Sequence, residues 1–156
     1  MNSYQYKALQ RTCEQVGIND VVGTAAEEEA KAKEVMLYYA LYCIYAATSN
    51  VSNPYLEQKG QLPNPWLISA GWKDVDKHPC EGWYGVTCEG NILTILGLRD
   101  LFMTGIFPPE VKFLAKSGQY SKAGAELKDL DLYENRDLYS SDSSWVQDLE
   151  GLGKLF

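Results

Sequence analysis

Pro79-Cys80-Glu81-Gly82-Trp83-Tyr84-Gly85-Val86-Thr87-Cys88, followed closely by Leu93-Thr94-Ile95-Leu96-Gly97-Leu98, decides how this chain is read. Two cysteines bracket a Trp-Tyr-Gly-Val segment. Apolar residues then recur at relative positions 1, 4 and 6 of the leucine run. A stack of repeating coils cannot leave its first coil bare, and a short cysteine-closed loop carrying a tryptophan is one way to cover it.

Working outward, the leucine pattern returns at Leu127-Lys128-Asp129-Leu130-Asp131-Leu132-Tyr133-Glu134-Asn135, and Leu149, Leu152 and Leu155 recur every third residue near Phe156. The spacing L-x-x-L-x-L-x-x-N places one short strand in each coil, leucines inward, with the asparagine serving backbone groups at the bend. Upstream, Tyr4 to Val16 reads as a helix from the spacing of Leu9, Cys13 and Val16, stopped by Gly17. Thr24 is a helix cap with Glu27 at capping-box spacing, and Glu27, Glu28 and Glu29 suit the positive end of the helix dipole. That second helix should run to about Ala47, and its later half is apolar on most sides, which requires cover on more than one face. From Ser49 to Trp66 the chain is rich in helix and strand breakers and includes the glycosylation triplet Asn50-Val51-Ser52. Trp66, Trp72, Trp83 and Tyr84 form a small aromatic core beneath the loops, each indole N–H tied to a carbonyl; the sharper alternative is a carbohydrate platform.

Composition narrows the function classes. With 156 residues, 46% hydrophobic and 22% charged, the chain can bury a core of ordinary size. A net charge of -7 makes nucleic acid a poor partner. The longest apolar run, Val35 to Ala47, is too short to span a bilayer. The four cysteines allow three pairings; the local pair Cys80–Cys88 leaves Cys13 to Cys43, or leaves those two as buried free thiols. Zinc does not suit the spacing. Disulfides point to an oxidising compartment, secretory or organellar, whereas Met1-Asn2-Ser3-Tyr4 lacks the features of a secretory signal. The expectation is a processed N-terminus or a longer parent chain.

The stretch from about Val35 to Val111 resembles the N-terminal cap and first repeat of plant-type leucine-rich repeat proteins. The residues that carry the likeness are Ala40-Leu41-Tyr42-Cys43-Ile44-Tyr45-Ala46-Ala47-Thr48, Gly71-Trp72, the cysteine box, the first leucine run, and Gly105-Ile106-Phe107-Pro108-Pro109-Glu110-Val111. Members of that family include receptor-kinase ectodomains, inhibitors of pathogen wall-degrading enzymes, and algal and diatom proteins; the degenerate repeats here are similar to the last group. The resemblance implies an α/β (α+β) solenoid: a disulfide-stapled helical cap over residues 1–91, then two to three irregular leucine-rich repeats with short parallel strands over residues 92–156. Three departures stand out. Leu101 occupies the asparagine position of the first repeat, so that bend needs another partner. Leu96 and Leu130 are 34 residues apart against a usual spacing of about 24, implying an insertion over Ala115 to Ala125 on the convex side. Asn135 is followed one residue late by Leu138. A stack ending at Phe156 would leave an open apolar face, so the chain should continue or pack on another subunit.

No catalytic constellation is legible, and none of the motifs calls for a cofactor. His78, the one histidine, lies in a polar loop beside Cys80, and no nucleophile turn or phosphate loop is present. Asp129, Asp131, Glu134, Asp137 and Asp142 lack the spacing of a calcium loop. Strand alternation instead turns Asp129, Asp131 and Tyr133 outward, together with Ile95, Gly97, Arg99 and Asp100 of the first strand. The expected activity is non-catalytic protein binding through Arg99, Asp100, Asp129, Asp131 and Tyr133, with Arg99 and Tyr133 as hot-spot types. The competing expectation is an accessory subunit of a large complex, attached peripherally to a membrane assembly, with Tyr38, Tyr39, Tyr42 and Tyr45 packing on neighbours.

Overall fold

The computed structural model describes residues 3–16, 24–49, 66–72, 74, 77–115, 124–135 and 137–139. Helix α1 spans Ser3–Val16 and α2 spans Ala25–Ser49. Thr24 caps α2: its Oγ1 accepts from the Glu27 N–H at 3.3 Å and its carbonyl from the Glu28 N–H at 3.0 Å. Ala40 to Ile44 are buried without interruption. Such continuous burial needs cover on more than one face, and α1, β3 and the 3-10 helix Pro109–Leu114 supply it. On α1 the buried residues are Ala8 and Thr12, while Leu9 and Cys13 are exposed. Small side chains let the two helices approach, and the Thr12 hydroxyl satisfies itself on the Ala8 carbonyl at 2.7 Å.

Five strands follow: β1 Val86–Glu89, β2 Ile92–Gly97, β3 Thr104–Ile106, β4 Ala125–Asp131 and β5 Asp137–Tyr139. The three-stranded sheet has the order β1-β2-β4, with β1 antiparallel and β4 parallel to β2; β3 and β5 form a separate parallel pair. Leu96 pairs with Leu130 in the parallel register.

The solenoid with two to three leucine-rich repeats is not what forms. The described residues make a small α+β unit whose three-stranded sheet is mixed and neither closed nor extended into a stack. A solenoid is quasi-one-dimensional, each unit touching only its neighbours. Here Tyr4 and Gln5 bond to Glu110 across 106 and 105 residues, and the 25-residue α2 packs on both the first helix and the later Pro109–Leu114 segment. Leucine spacing reports which side of a strand is buried; it says nothing of what covers that side. One core runs from Ala8 to Leu138, and the hairpin turn between β1 and β2 spans the boundary drawn between residues 91 and 92. The Asn50 triplet, most of the expected insertion (116–123) and the Leu149–Leu155 series lie outside the described residues.

Trp66, Trp72 and Trp83 form the centre of this core. Trp66, Trp72 and Trp83 are 2%, 0% and 1% exposed, which excludes them as a carbohydrate platform. Ring centroids lie 4.6 Å apart for Trp66–Trp72 and 5.0 Å for Trp72–Trp83. Each indole N–H has a partner: Trp72 donates to the Tyr84 carbonyl at 2.9 Å, Trp83 to the Lys77 carbonyl at 3.0 Å, and Trp66 to the Thr48 hydroxyl at 3.0 Å. Tyr38 and Tyr42 are buried against Trp83, Tyr45 packs on Trp66, and Tyr39 lies on Phe113. Tyr38 and Tyr42 thus lie in the chain's own core, and Tyr39 and Tyr45 are partly buried against it.

The cysteine box supports that centre from outside. Cys80 and Cys88 are bonded, with Cα atoms 5.7 Å apart and eight residues of separation. Closing so short a loop stabilises the fold by about 2–3 kcal/mol in the chain-entropy account. His78 caps the Pro79–Glu81 turn, its Nδ1 accepting from the Cys80 N–H at 3.1 Å while Glu81 accepts from the His78 N–H at 3.3 Å. Gly85 has a φ of +80°, and a Cβ there would lie 2.4 Å from the Gly97 carbonyl oxygen. Gly90 also has a positive φ, +63°, but has open space around it. Gly85→Ala should therefore destabilise the protein by roughly 3 kcal/mol or more, against about 1 kcal/mol for Gly90→Ala. Chemical denaturation of the two variants measures the difference, and equal losses would contradict the close approach of β1 to β2.

Candidate functional site

Strand alternation sorts β2 and β4 into two faces. Leu96, Leu98, Leu130 and Leu132 are fully buried, and the intervening residues turn to the opposite face. Pairing sets Thr87, Ile95 and Asp129 in one row across the sheet, and Gly97 opposite Asp131 in the next. Beyond the strand ends, the Leu98 N–H donates to the Asp131 carbonyl at 2.8 Å and the Asp100 N–H to the Tyr133 carbonyl at 3.0 Å. The two turns are thus stacked like the strands they follow.

The structure brings together four of the five expected contact residues. Arg99 Nε donates to Asp131 Oδ2 at 3.0 Å, and the guanidinium lies over the Tyr133 ring at 5.4 Å. Asp131 Oδ1 also accepts from the Tyr133 N–H at 3.0 Å. Asp129 lies one row along on the same face, exposed and with no ion-pair partner among the described residues. Asp100, the fifth, is displaced onto the turn, exposed and with a φ of 53°. With side-chain exposures of 53% for Arg99 and 28% for Asp131, their ion pair adds well under about 1 kcal/mol. It sets the two side chains against each other on this face.

Asn135 aligns these turns. Its Oδ1 accepts from the Leu101 and Met103 N–H groups at 3.0 and 3.1 Å, and its Nδ2 donates to the Leu98 and Leu132 carbonyls at 2.8 and 2.9 Å. The bend at Leu101, which lacks an asparagine of its own, is thereby served by the asparagine of the next strand–turn unit. All four bonds are buried, so each replaces solvent that the backbone groups have lost.

A second polar cluster escaped the sequence reading. Glu110 is buried, with Tyr4 Oη donating to its carboxylate at 3.1 Å and Gln5 Nε2 at 2.7 Å. It ties the Pro109–Leu114 helix to α1. Nothing local announces it, because its partners are more than a hundred residues away. Close by, Cys43 is buried and unpaired, and Cys13 is exposed and unpaired. The expected Cys13–Cys43 bridge does not form: both are free thiols, and only Cys43 is buried. Burial, reinforced by the Glu110 charge, pushes the Cys43 thiol up to about 12. Burial likewise pushes Tyr38 up to about 12, and raises Tyr39 and Tyr42.

His78 is engaged as a cap, and no three His, Cys, Asp or Glu side chains converge on a possible metal position among the described residues. No helix among those residues is long and apolar enough to cross a membrane. Comparison with protein-family models, curated proteins and solved structures finds no match to this chain.

The raised thiol and phenols carry a pH dependence with a definite sign. Each is held neutral by the fold, so its contribution is complete below its ordinary value, 9.0 for the thiol and 10.0 for the phenols, and is lost as pH rises toward about 12. Denaturation midpoints should therefore fall steadily from about pH 9 to about pH 12. At about pH 8, iodoacetamide followed by peptide mass spectrometry should find Cys13 modified and Cys43 protected. Equal modification of both in the folded protein would contradict the burial of Cys43.

Proposed function

We propose that this chain is a non-catalytic protein-binding module that works in an oxidising compartment. Its contact surface is the outward face of β2 and β4 with the turns that follow them. The observation that carries this reading is the Arg99–Asp131–Tyr133 arrangement: an arginine and a tyrosine fixed against each other on a paired strand scaffold, with Tyr133 37% exposed. Arginine and tyrosine are the side chains most often responsible for binding energy at protein interfaces. Holding them in one pose before contact removes part of the ordering cost of association. The likeness of the cysteine box to the cap of plant-type leucine-rich repeat proteins, among them receptor ectodomains and inhibitors, supports the same class of activity. The Cys80–Cys88 bond supports the compartment. The acidic charge of -7 argues for a protein over a nucleic acid.

Affinity capture from the native source under non-reducing conditions, quantified by mass spectrometry, tests this. The full chain should hold a stoichiometric partner, and the Arg99→Ala/Tyr133→Ala variant should hold about tenfold less. Gln10→Ala, an exposed change on α1, should capture as much as the unmodified chain. A folded double variant that retains the partner in full would overturn the assignment of this face.

A further inference from the structure

His78 is the single histidine of the chain, and it occupies a position where histidine is an unusual choice. It caps the Pro79–Glu81 turn from extended backbone, with φ -68° and ψ 145°. Helix caps are mostly serine, threonine, aspartate or asparagine, whose side-chain oxygen accepts from the backbone regardless of pH near neutrality. Here the acceptor is the imidazole Nδ1, which takes the Cys80 N–H at 3.1 Å. A neutral imidazole has one such acceptor nitrogen; an imidazolium has none, because both ring nitrogens then carry hydrogen. Histidine is also the side chain whose ordinary charge change falls between about pH 5 and 8. The bond that closes this turn is therefore available to one protonation state of the ring and denied to the other.

The turn carries more than its own geometry. Cys80 is one half of the disulfide. The His78 carbonyl accepts from the Glu81 N–H at 2.8 Å, and the Trp83 indole donates to the carbonyl of Lys77, the residue before His78. Tyr38 of α2 packs on both the His78 ring and Trp83, with ring centroids 6.0 Å apart in each case. The imidazole thus sits between the disulfide loop and the aromatic core. It is half-buried and lines an open cleft of about 540 Å³, so protons reach it. The charges that α2 brings to this cleft are balanced, Glu27 and Glu34 against Lys31 and Lys33. Val16 of α1, Asn91 of the β1–β2 turn and Gly124 bring none. In the loop itself, Lys77 precedes the ring, and the Glu81 carboxylate already accepts from the His78 N–H at 3.3 Å. An imidazolium has carboxylates to turn to, Glu81 in the turn and Glu34 in the cleft, and neither choice restores the bond to the Cys80 N–H.

We infer that His78 is an acid-sensitive latch on the disulfide loop. Neutral, it holds the Cys80 amide and keeps the Pro79–Glu81 turn wound against Tyr38 and Trp83. Protonated, it lets go, and the turn loosens while the disulfide and the core beneath it keep the chain folded. The loop then presents different surfaces in neutral and acidic surroundings with no change in covalent structure.

Nuclear magnetic resonance of the isotopically labelled full chain, titrated from about pH 8 to about pH 5, tests this. At the upper end, the nitrogen shifts of His78 should show Nδ1 bare and Nε2 carrying the hydrogen. On acidification the Cys80 amide should move in step with the imidazole, and its protection factor against hydrogen exchange should fall about tenfold. The Leu98 amide should stay protected throughout. His78→Asn supplies an acceptor that does not titrate, so its Cys80 amide should hold its protection across the range. Glu81→Gln should leave the titration of the Cys80 amide in place. A hydrogen on Nδ1 at the upper end, a Cys80 amide indifferent to the imidazole, the same titration in His78→Asn, its disappearance in Glu81→Gln, or an equal loss of protection at Leu98 would each overturn the inference.

Discussion

One carboxamide holds the two strand–turn units of this protein together. Asn135 satisfies two N–H groups and two carbonyls drawn from both bends, all of them out of reach of water. An unpaired buried backbone group costs about 1–3 kcal/mol, so removing this single side chain would expose the fold to several such penalties at once. With the bends fixed, Leu96 meets Leu130 and Gly97 meets Asp131. Arg99 can then reach Asp131 and Tyr133 on the face that the leucines leave free.

On the other side of that sheet, the leucines share a core with an aromatic cluster closed by the Cys80–Cys88 bond. Trp66, Trp72 and Trp83 each have their N–H satisfied, so burial of these three indoles leaves no unpaired donor. Helix α2 crosses the boundary between the aromatic and leucine-lined parts, and Glu110 fastens the later part to α1. The proposed binding face thus sits on a scaffold in which both halves of the chain are structurally committed.

Much of this was legible from local chemistry. The extents of α1 and α2, the Thr24 cap, the Cys80–Cys88 pair, the burial of the tryptophans and the outward row of Asp129, Asp131 and Tyr133 all follow from spacing over a few residues. What failed was whatever depends on distant partners. The leucine pattern at Leu93–Leu98 and Leu127–Leu132 identified two strands and their inward faces, but the solenoid inferred from it required that further strands continue the stack. The antiparallel β1 on one side and the long helix over the core make a different object. Leu9 and Cys13 had helical spacing yet face solvent, because Ala8 and Thr12 allow the closer helix contact. At the candidate site the residue types were readable, whereas the pose of Arg99 depends on pairing between segments more than thirty residues apart.

The most direct measurement of this account is amide hydrogen exchange at Leu101 and Met103, read residue by residue by nuclear magnetic resonance. Both lie outside the regular strands, and their N–H groups are assigned to one side-chain oxygen, Asn135 Oδ1. Protection comparable to that of the Leu98 amide, which is bonded across to Asp131, is the result the structure predicts. Exchange of Leu101 and Met103 at the rate of an open chain, with Leu98 still protected, would show that Asn135 does not join the two bends, and the alignment of the proposed binding face would lose its foundation.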